Sequence, residues 1–246
     1  ESIARKILAG GGAASSFEAP AAVTKNETSL GDGLFTSIDA ATRAARTAFF
    51  ALSSLGLERR KLIIESMRSV LRPQAEPLAR LAVEESGLGR VEDKIKKNLL
   101  VINKTPGPED LDPIARSGDA GLVLMEPAPF GVIGAITPVT NPSSTIICNS
   151  IGMVAAGNTV VFNAHPSAKR VSVATVRLLN QAIVAAGGPP DVLSCMPEPT
   201  IESATELMKH PLVRLLVVTG GPGVVKAAMN SGKRAICAGP GNPPAV

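Results

Sequence analysis

Residues 132–169 read "VIGAITPVTNPSSTIICNSIGMVAAGNTVVFNAHPSAK", and the fold class turns on how this stretch is parsed. Val132–Ile136 is an apolar run too short for a helix, so it reads as a buried strand. "TPVTNP" is a polar turn with two prolines. Residues 143–155 then form an apolar helix, and "AGN" breaks it. Thr159–Asn163 is a second apolar strand, ending in "NAHPS". Strand, helix, strand is a βαβ unit, which sets its two strands parallel.

The same alternation continues downstream. Helix 167–186 leads to strand 192–195, helix 200–209, strand Val213–Thr219, helix 222–230 and a last strand at 234–238. Such a series implies an α/β fold with a doubly wound, mostly parallel, Rossmann-like sheet. Upstream, "GLVLMEPAPFGVIGAI" reads as a strand, a turn around Pro127, Pro129 and Gly131, and the strand at 132. Three helical stretches precede it. Ser37 is placed to cap a helix over 38–55. A second helix runs over 57–72, with Pro73 starting a further one to Glu85. The third covers 90–104 and carries a charged outer face, and 105–113 is a loop on Pro and Gly grounds.

Composition agrees with strands buried on both faces by helices. Of 246 residues 45% are hydrophobic but only 2% aromatic, with no Trp and no Tyr, so the core is Ala, Val, Leu and Ile. The net charge of +4 is dispersed, and no aromatics are available to stack bases, which argues against nucleic acid. The three cysteines lie far apart, without a CxxC or a nearby His. That speaks against a metal site or a disulfide scaffold and for a reducing compartment. No apolar run reaches membrane-spanning length and no secretory signal is visible. Residues 1–8, "ESIARKIL", put Ile3, Ile7 and Leu8 on one helical face, and a Gly-, Ala- and Ser-rich linker follows. A tethered amphipathic helix can dock a partner, or it can be a frayed terminus.

Ligands of open α/β sheets bind beyond the carboxyl ends of the strands. Those ends read "TPVTN", "NAHPS", "CMPEPT" and "VTGGPG" here. Free N–H groups and the helix dipole at the helix starts suit phosphate. There is no GxGxxG and no GxxxxGK[ST], so the pattern is consistent with a nucleotide without requiring one.

"EPAPFGVIGAITPVTNP", "AAGNTVVFNAHPSAK", "LLVVTGGPGVVKAAM" and "AGPGNPP" together resemble the aldehyde dehydrogenase superfamily. "GRVEDKIKKNLLVINKTPGPEDL" narrows the resemblance to the CoA-acylating branch, with its propionaldehyde and acetaldehyde dehydrogenases of bacterial microcompartments. The likeness runs from about Ser37 to Val246. It implies a Cys thiolate that attacks an aldehyde, hydride transfer to NAD, and passage of the acyl group to coenzyme A.

The resemblance also implies roles for residues. Asn141 matches the family's oxyanion-stabilising Asn. Thr137, Pro138 and Val139 match the cofactor-lining strand end. Asn163, His165, Pro166 and Ser167 match the segment holding the adenosine ribose, so His165 is a nucleotide contact rather than a base. Many hydrolytic relatives have a Lys there. Thr219, Gly220, Gly221 and Pro222 match the turn beneath the nicotinamide-side phosphate, with Val224 in the helix that follows. His210 is expected to be a loop histidine. No acidic residue follows "VVFN", so NAD over NADP is weakly set. Hydrolytic relatives carry a water-activating Glu ahead of a Gly pair, whereas 233–246 holds no carboxylate, which suits a thiol acceptor.

The family's nucleophilic Cys belongs downstream of "GPGNPP", so these residues alone are expected to be inactive. Cys148 is expected to be a buried inert thiol, Cys195 to end a strand near the cofactor edge, and Cys237 to lie near the place of the missing Glu. Three parts are expected: helix and linker over 1–22, a helical part over 23–120, and the dinucleotide-binding core over 121–246. The family further implies a short-chain aldehyde and CoA as substrates and a homo-oligomer at full length. It implies bacterial cytoplasm and a microcompartment lumen, with residues 1–14 docking the shell. A non-catalytic NAD- or CoA-binding fragment, or a shell-docking partner, is the alternative.

Overall fold

The structure, a computed structural model, describes residues 28–241. The helix and linker expected over 1–22 lie outside the described residues. The central sheet has seven strands: β1 (Ser29–Gly31), β2 (Leu34–Phe35), β5 (Val132–Ile136), β6 (Thr159–Asn163), β7 (Leu193–Cys195), β8 (Val213–Thr219) and β9 (Ala235–Ala238). Their order is β1-β2-β7-β6-β5-β8-β9, parallel from β2 to β9, with β1 antiparallel at one edge. β5 and β6 are buried at every residue, as strands covered on both faces must be. From β5 the chain first winds outward through β6 and β7, then returns to add β8 and β9 on the other side. That reversal is the switch point at which such sheets open a crevice.

The helices are α1 (Ile38–Ser53), α2 (Leu57–Ser86), α3 (Val91–Lys104), α4 (Pro142–Ala155), α5 (Lys169–Ala185), α6 (Ile201–Lys209) and α7 (Pro222–Met229). α4 and α5 lie on one face of the sheet, and α2 and α3 pack on them; α1, α6 and α7 cover the other face. The cores are aliphatic on both sides, with Phe162 the largest fully buried side chain. Ser37 caps α1 as expected, its side chain accepting from Ala40 N at 3.3 Å. His210 follows α6 outside any helix or strand, as expected, and outside any cleft role it ties elements together. It is buried, its Nδ1 accepts from Leu212 N, and its Nε2 therefore donates to Asp39 Oδ1 at 3.1 Å, tying the end of α6 to the first turn of α1. The Arg43 guanidinium first, and His210 second, hold the Asp39 carboxyl below its ordinary range.

Two features depart from the sequence reading, an unbroken helix and strands that it did not contain. Pro73 does not start a helix, because α2 runs unbroken through Pro73 and Pro77. Both prolines sit on its exposed face, where water can satisfy the carbonyls that lose their donors. Buried residues on either side, Met67 and Leu71 before and Ala75 and Leu78 after, keep the axis docked. Residues Gly121–Met125 (β4) form the strand expected there, ahead of the turn and β5. They fold back on Ile114–Gly118 (β3) as a separate hairpin closed by residues 119 and 120. Its apolar side chains are exposed, Leu122 by 71% and Leu124 by 60%. The strands β1, β2 and β3 have no counterpart in the sequence reading.

Candidate functional site

A cleft of about 860 Å³ opens over the carboxyl ends of β5, β6 and β8. Of the residues singled out from sequence, Thr137, Pro138, Val139, Asn141, Asn163, His165, Pro166, Thr219, Gly220, Gly221 and Val224 line it. Ser167 and Pro222 do not. Ser167 is exposed and its backbone N–H donates to His165 Nδ1 at 3.1 Å, and Pro222 is the first residue of α7. Thr140, Thr200, Ile201 and Gly239–Gly241 complete the walls. No Asp, Glu, Lys or Arg is among the lining residues.

The local geometry explains how such a cleft can hold an anion. α4 and α7 begin at its rim, both with proline in the first turn. Neither Asn141 nor Gly221, their N-caps, bonds the free N–H groups of that turn through a side chain. Those donors, with the helix dipoles, are left for a ligand. α6 differs: Thr200 and Ser203 close a full capping box. At Gly220 a Cβ would lie 2.6 Å from Val224 Cγ1, so the turn after β8 admits only glycine without a shift of that side chain. These features fit a nucleotide's phosphates lying against backbone.

The side chains have distinct commitments. His165 Nδ1 accepts from Ser167 N, so Nε2 carries the ring proton. The Asn163 amide is largely spent within the protein: Ser203 Oγ donates to its Oδ1 at 2.6 Å and its Nδ2 donates to Thr200 O at 3.4 Å. It joins β6 to the start of α6. Among the described residues Thr137 Oγ1 is buried with no hydrogen-bond partner, while its backbone N–H donates to Asn163 O.

Asn141 has partners that the sequence reading missed. α3 has the expected charged outer face, with Glu92, Lys96 and Lys97 exposed, but polar residues also occupy its inner one. Lys94, Asn98 and Ile102, four residues apart, are its buried stripe, and Leu100 is exposed. Lys94 Nζ donates to Thr140 O at 2.7 Å, and burial first, then nearby Lys97, pushes its pKa down. Lys97 Nζ donates to Asn141 Oδ1 at 3.2 Å. Ser143 Oγ donates to Asn98 Oδ1 at 2.9 Å. The available signal was a Lys and an Asn occupying the core positions of an amphipathic helix.

The cysteines are all free, and none lines the cleft. Cys195 lies in the core rather than at the cofactor edge, 1% exposed, and burial pushes its thiol up to about 12, which leaves no thiolate at neutral pH. Cys148, expected to be buried, is half-buried, as is Cys237. Among the described residues no group of His, Cys, Asp and Glu is placed to hold a metal ion, and no helix is long and apolar enough to cross a membrane.

Comparison with known proteins agrees with this architecture. Residues 32–246 match the aldehyde dehydrogenase family. The chain is 50% identical, over 87% of its length and 46% of the relative's, to the acetylating acetaldehyde dehydrogenase EutE of Escherichia coli K12. It is similar in structure to a propionaldehyde dehydrogenase of Rhodopseudomonas palustris solved with bound CoA and an acylated cysteine. The TM-score is 0.85 at 50% identity, covering 87% of this chain and 49% of that one. It is similar also to the propionaldehyde dehydrogenase of the Clostridium phytofermentans fucose utilisation microcompartment, with TM-score 0.84 at 51% identity, covering 86% and 48%. The chain spans about half the length of these relatives. With a family match over every strand of the switch-point sheet but the edge strand β1, and half of all aligned residues shared with acylating enzymes, the chain belongs to the aldehyde dehydrogenase family, in its CoA-acylating branch.

Proposed function

We propose that this chain is the cofactor-binding half of an enzyme that oxidises a short aldehyde, propanal or acetaldehyde, to its acyl-CoA. The balanced reaction is aldehyde, CoA thiol and NAD⁺ giving acyl-CoA, NADH and a proton. A bound nicotinamide cofactor supplies the hydride acceptor. The backbone donors at the starts of α4 and α7 and the Gly220 turn hold its phosphates. Asn141 donates from Nδ2 to the oxygen that becomes negative when a thiolate adds to the carbonyl. No cysteine of the cleft is available for that attack, so the nucleophile is proposed to lie on the part of the relatives that this chain does not span.

The observation that carries the choice of acceptor is the wall at 239–241. This segment faces the cleft, and residues 233–246 contain no carboxylate. A thioester facing a wall without a general base is protected from water and left for a second thiol. The complete polypeptide carrying this chain is therefore expected to form NADH from propanal or acetaldehyde only when CoA is added, with acyl-CoA as product. Equal NADH formation without CoA, giving the free acid, would overturn the acyl-transfer reading. Binding of NAD and CoA without any turnover would favour the non-catalytic alternative.

The microcompartment setting of the Clostridium relative supports a docking role for residues 1–14. Deleting them is expected to leave cofactor binding unchanged while the enzyme no longer co-purifies with shells. Undiminished co-purification would refute the docking role.

A further inference from the structure

A carboxamide has two unlike ends, and only one can face an ammonium. Lys97 Nζ lies 3.2 Å from Asn141 Oδ1. Lysine offers donors and no acceptor, so the amide oxygen must face it and Nδ2 must turn away. Among the described residues Nδ2 meets only Thr140 Oγ1, at 3.5 Å, the outer limit of a hydrogen bond. Asn141 is also the N-cap of α4, where an Asn oxygen ordinarily turns onto the free N–H groups of the first turn. Here it makes no such bond. The capping role has been given up, and the oxygen is held from outside by a different helix.

That helix holds more than the oxygen. Lys94, Lys97 and Asn98 stand at i, i+3 and i+4 on α3 and so share one face. They engage the Thr140 carbonyl, the Asn141 amide and the Ser143 hydroxyl in turn. Asn98 is itself fixed, its Nδ2 donating to Ala75 O in α2 at 3.0 Å. The turn between β5 and α4 is thus pinned at and around Asn141 from one rigid surface. Lys94 spends a buried ammonium on a single carbonyl to do so, a costly arrangement for mere loop anchoring.

We propose that Lys97 is a positioning residue for the acyl-transfer reaction, fixing the Asn141 amide so that Nδ2 is presented to the cleft as a preorganised oxyanion donor. The inference rests on the reaction proposed above. The ammonium also draws electron density from the amide oxygen, which makes the N–H groups better donors. A donor left to rotate would have to be ordered at the moment of reaction, and that cost would fall on the rate.

The test is a double-mutant cycle in the complete polypeptide. Since outright loss of such a donor costs about 10²–10³ in kcat, Lys97→Met is expected to lower kcat about ten-fold or more with little change in KM for aldehyde or CoA. Lys97→Arg, which keeps a cation in reach, is expected to retain most of the rate. In the Asn141→Ala background, Lys97→Met should cost nothing further. Additive losses, or an unchanged kcat in the single variant, overturn the proposal. A crystal structure of the Lys97→Met enzyme reads the positioning apart from activity: the Asn141 amide is expected to leave its orientation or to split between two. An unmoved amide overturns the proposal even if turnover falls. If the unaltered enzyme makes no NADH from any short aldehyde with CoA, the reaction reading fails, and the orientation of Asn141 in the variant still decides what Lys97 does.

Discussion

Asn141→Ala in the complete polypeptide is expected to lower kcat for CoA-dependent aldehyde oxidation by about 10²–10³, as removal of a single oxyanion donor does elsewhere. The expectation follows from where the side chain stands. Asn141 ends the turn after β5, the strand at which the winding of the chain reverses, and it lines the cleft. Its oxygen is engaged by Lys97, and its nitrogen is left with one marginal neighbour. Nothing in the fold needs that nitrogen. The substitution removes no cap bond from α4, because none is made, so the variant should fold as the unaltered protein does. Asn141→Asp is a sharper companion. It keeps the shape and an oxygen for Lys97 but replaces the donor with an acceptor, so its rate should fall at least as far. KM for NAD should change little in either variant, because the backbone rather than this amide is assigned to the phosphates. A kcat within two- or three-fold of the unaltered enzyme would remove Asn141 from the chemistry, and with it the reason for the Lys97 contact.

The parts of this molecule legible in its sequence are those governed by burial on both faces. β5, β6, β8 and the helices between them announce themselves as apolar runs broken by Gly, Pro and Asn, because a parallel strand between two helical layers leaves no room for polar residues. The turns at their carboxyl ends were legible for the same reason, and they are the walls of the cleft. What escaped was decided by neighbours. β2 is two residues long and exists as a strand only because β1 and β7 lie on either side of it. The hairpin of β3 and β4 is exposed throughout, so its "IARSG" strand carries no alternation to read. The prolines of α2 would end an isolated helix, but packing on both sides of them holds the axis. Lys97 escaped for a different reason. An exposed lysine on a charged helix is the commonest of surface features, and only the position of Asn141 forty-four residues later gives it meaning.

Gly33→Ala is expected to destabilise the fold by about 2–5 kcal/mol, combining about 1–2 kcal/mol for an alanine held in left-handed backbone with about 1–3 kcal/mol for overpacking. Gly33 has φ +81°. A Cβ there would run into the carbonyl oxygen of Leu193 and the side-chain amide of Asn180. Neither can retreat. Leu193 is fully buried in β7, and its backbone N–H donates to Asn180 Oδ1. The Asn180 amide donates to three carbonyls, those of Asp32, Val176 and Leu193. Gly33 O in turn accepts from Cys195 N at 2.9 Å, so the glycine backbone is fixed as well. The clash therefore bears on the seam that brings Leu34 and Phe35 into the two cores. Gly31 supplies the internal comparison. Its φ is +84°, almost the same, but among the described residues a Cβ there meets nothing within 4 Å. Gly31→Ala should show only the backbone cost, about 1–2 kcal/mol. Urea unfolding of the two variants separates the contributions. Equal losses would mean that the close approach to β7 carries no energy of its own and that backbone strain alone sets the requirement for glycine in this turn.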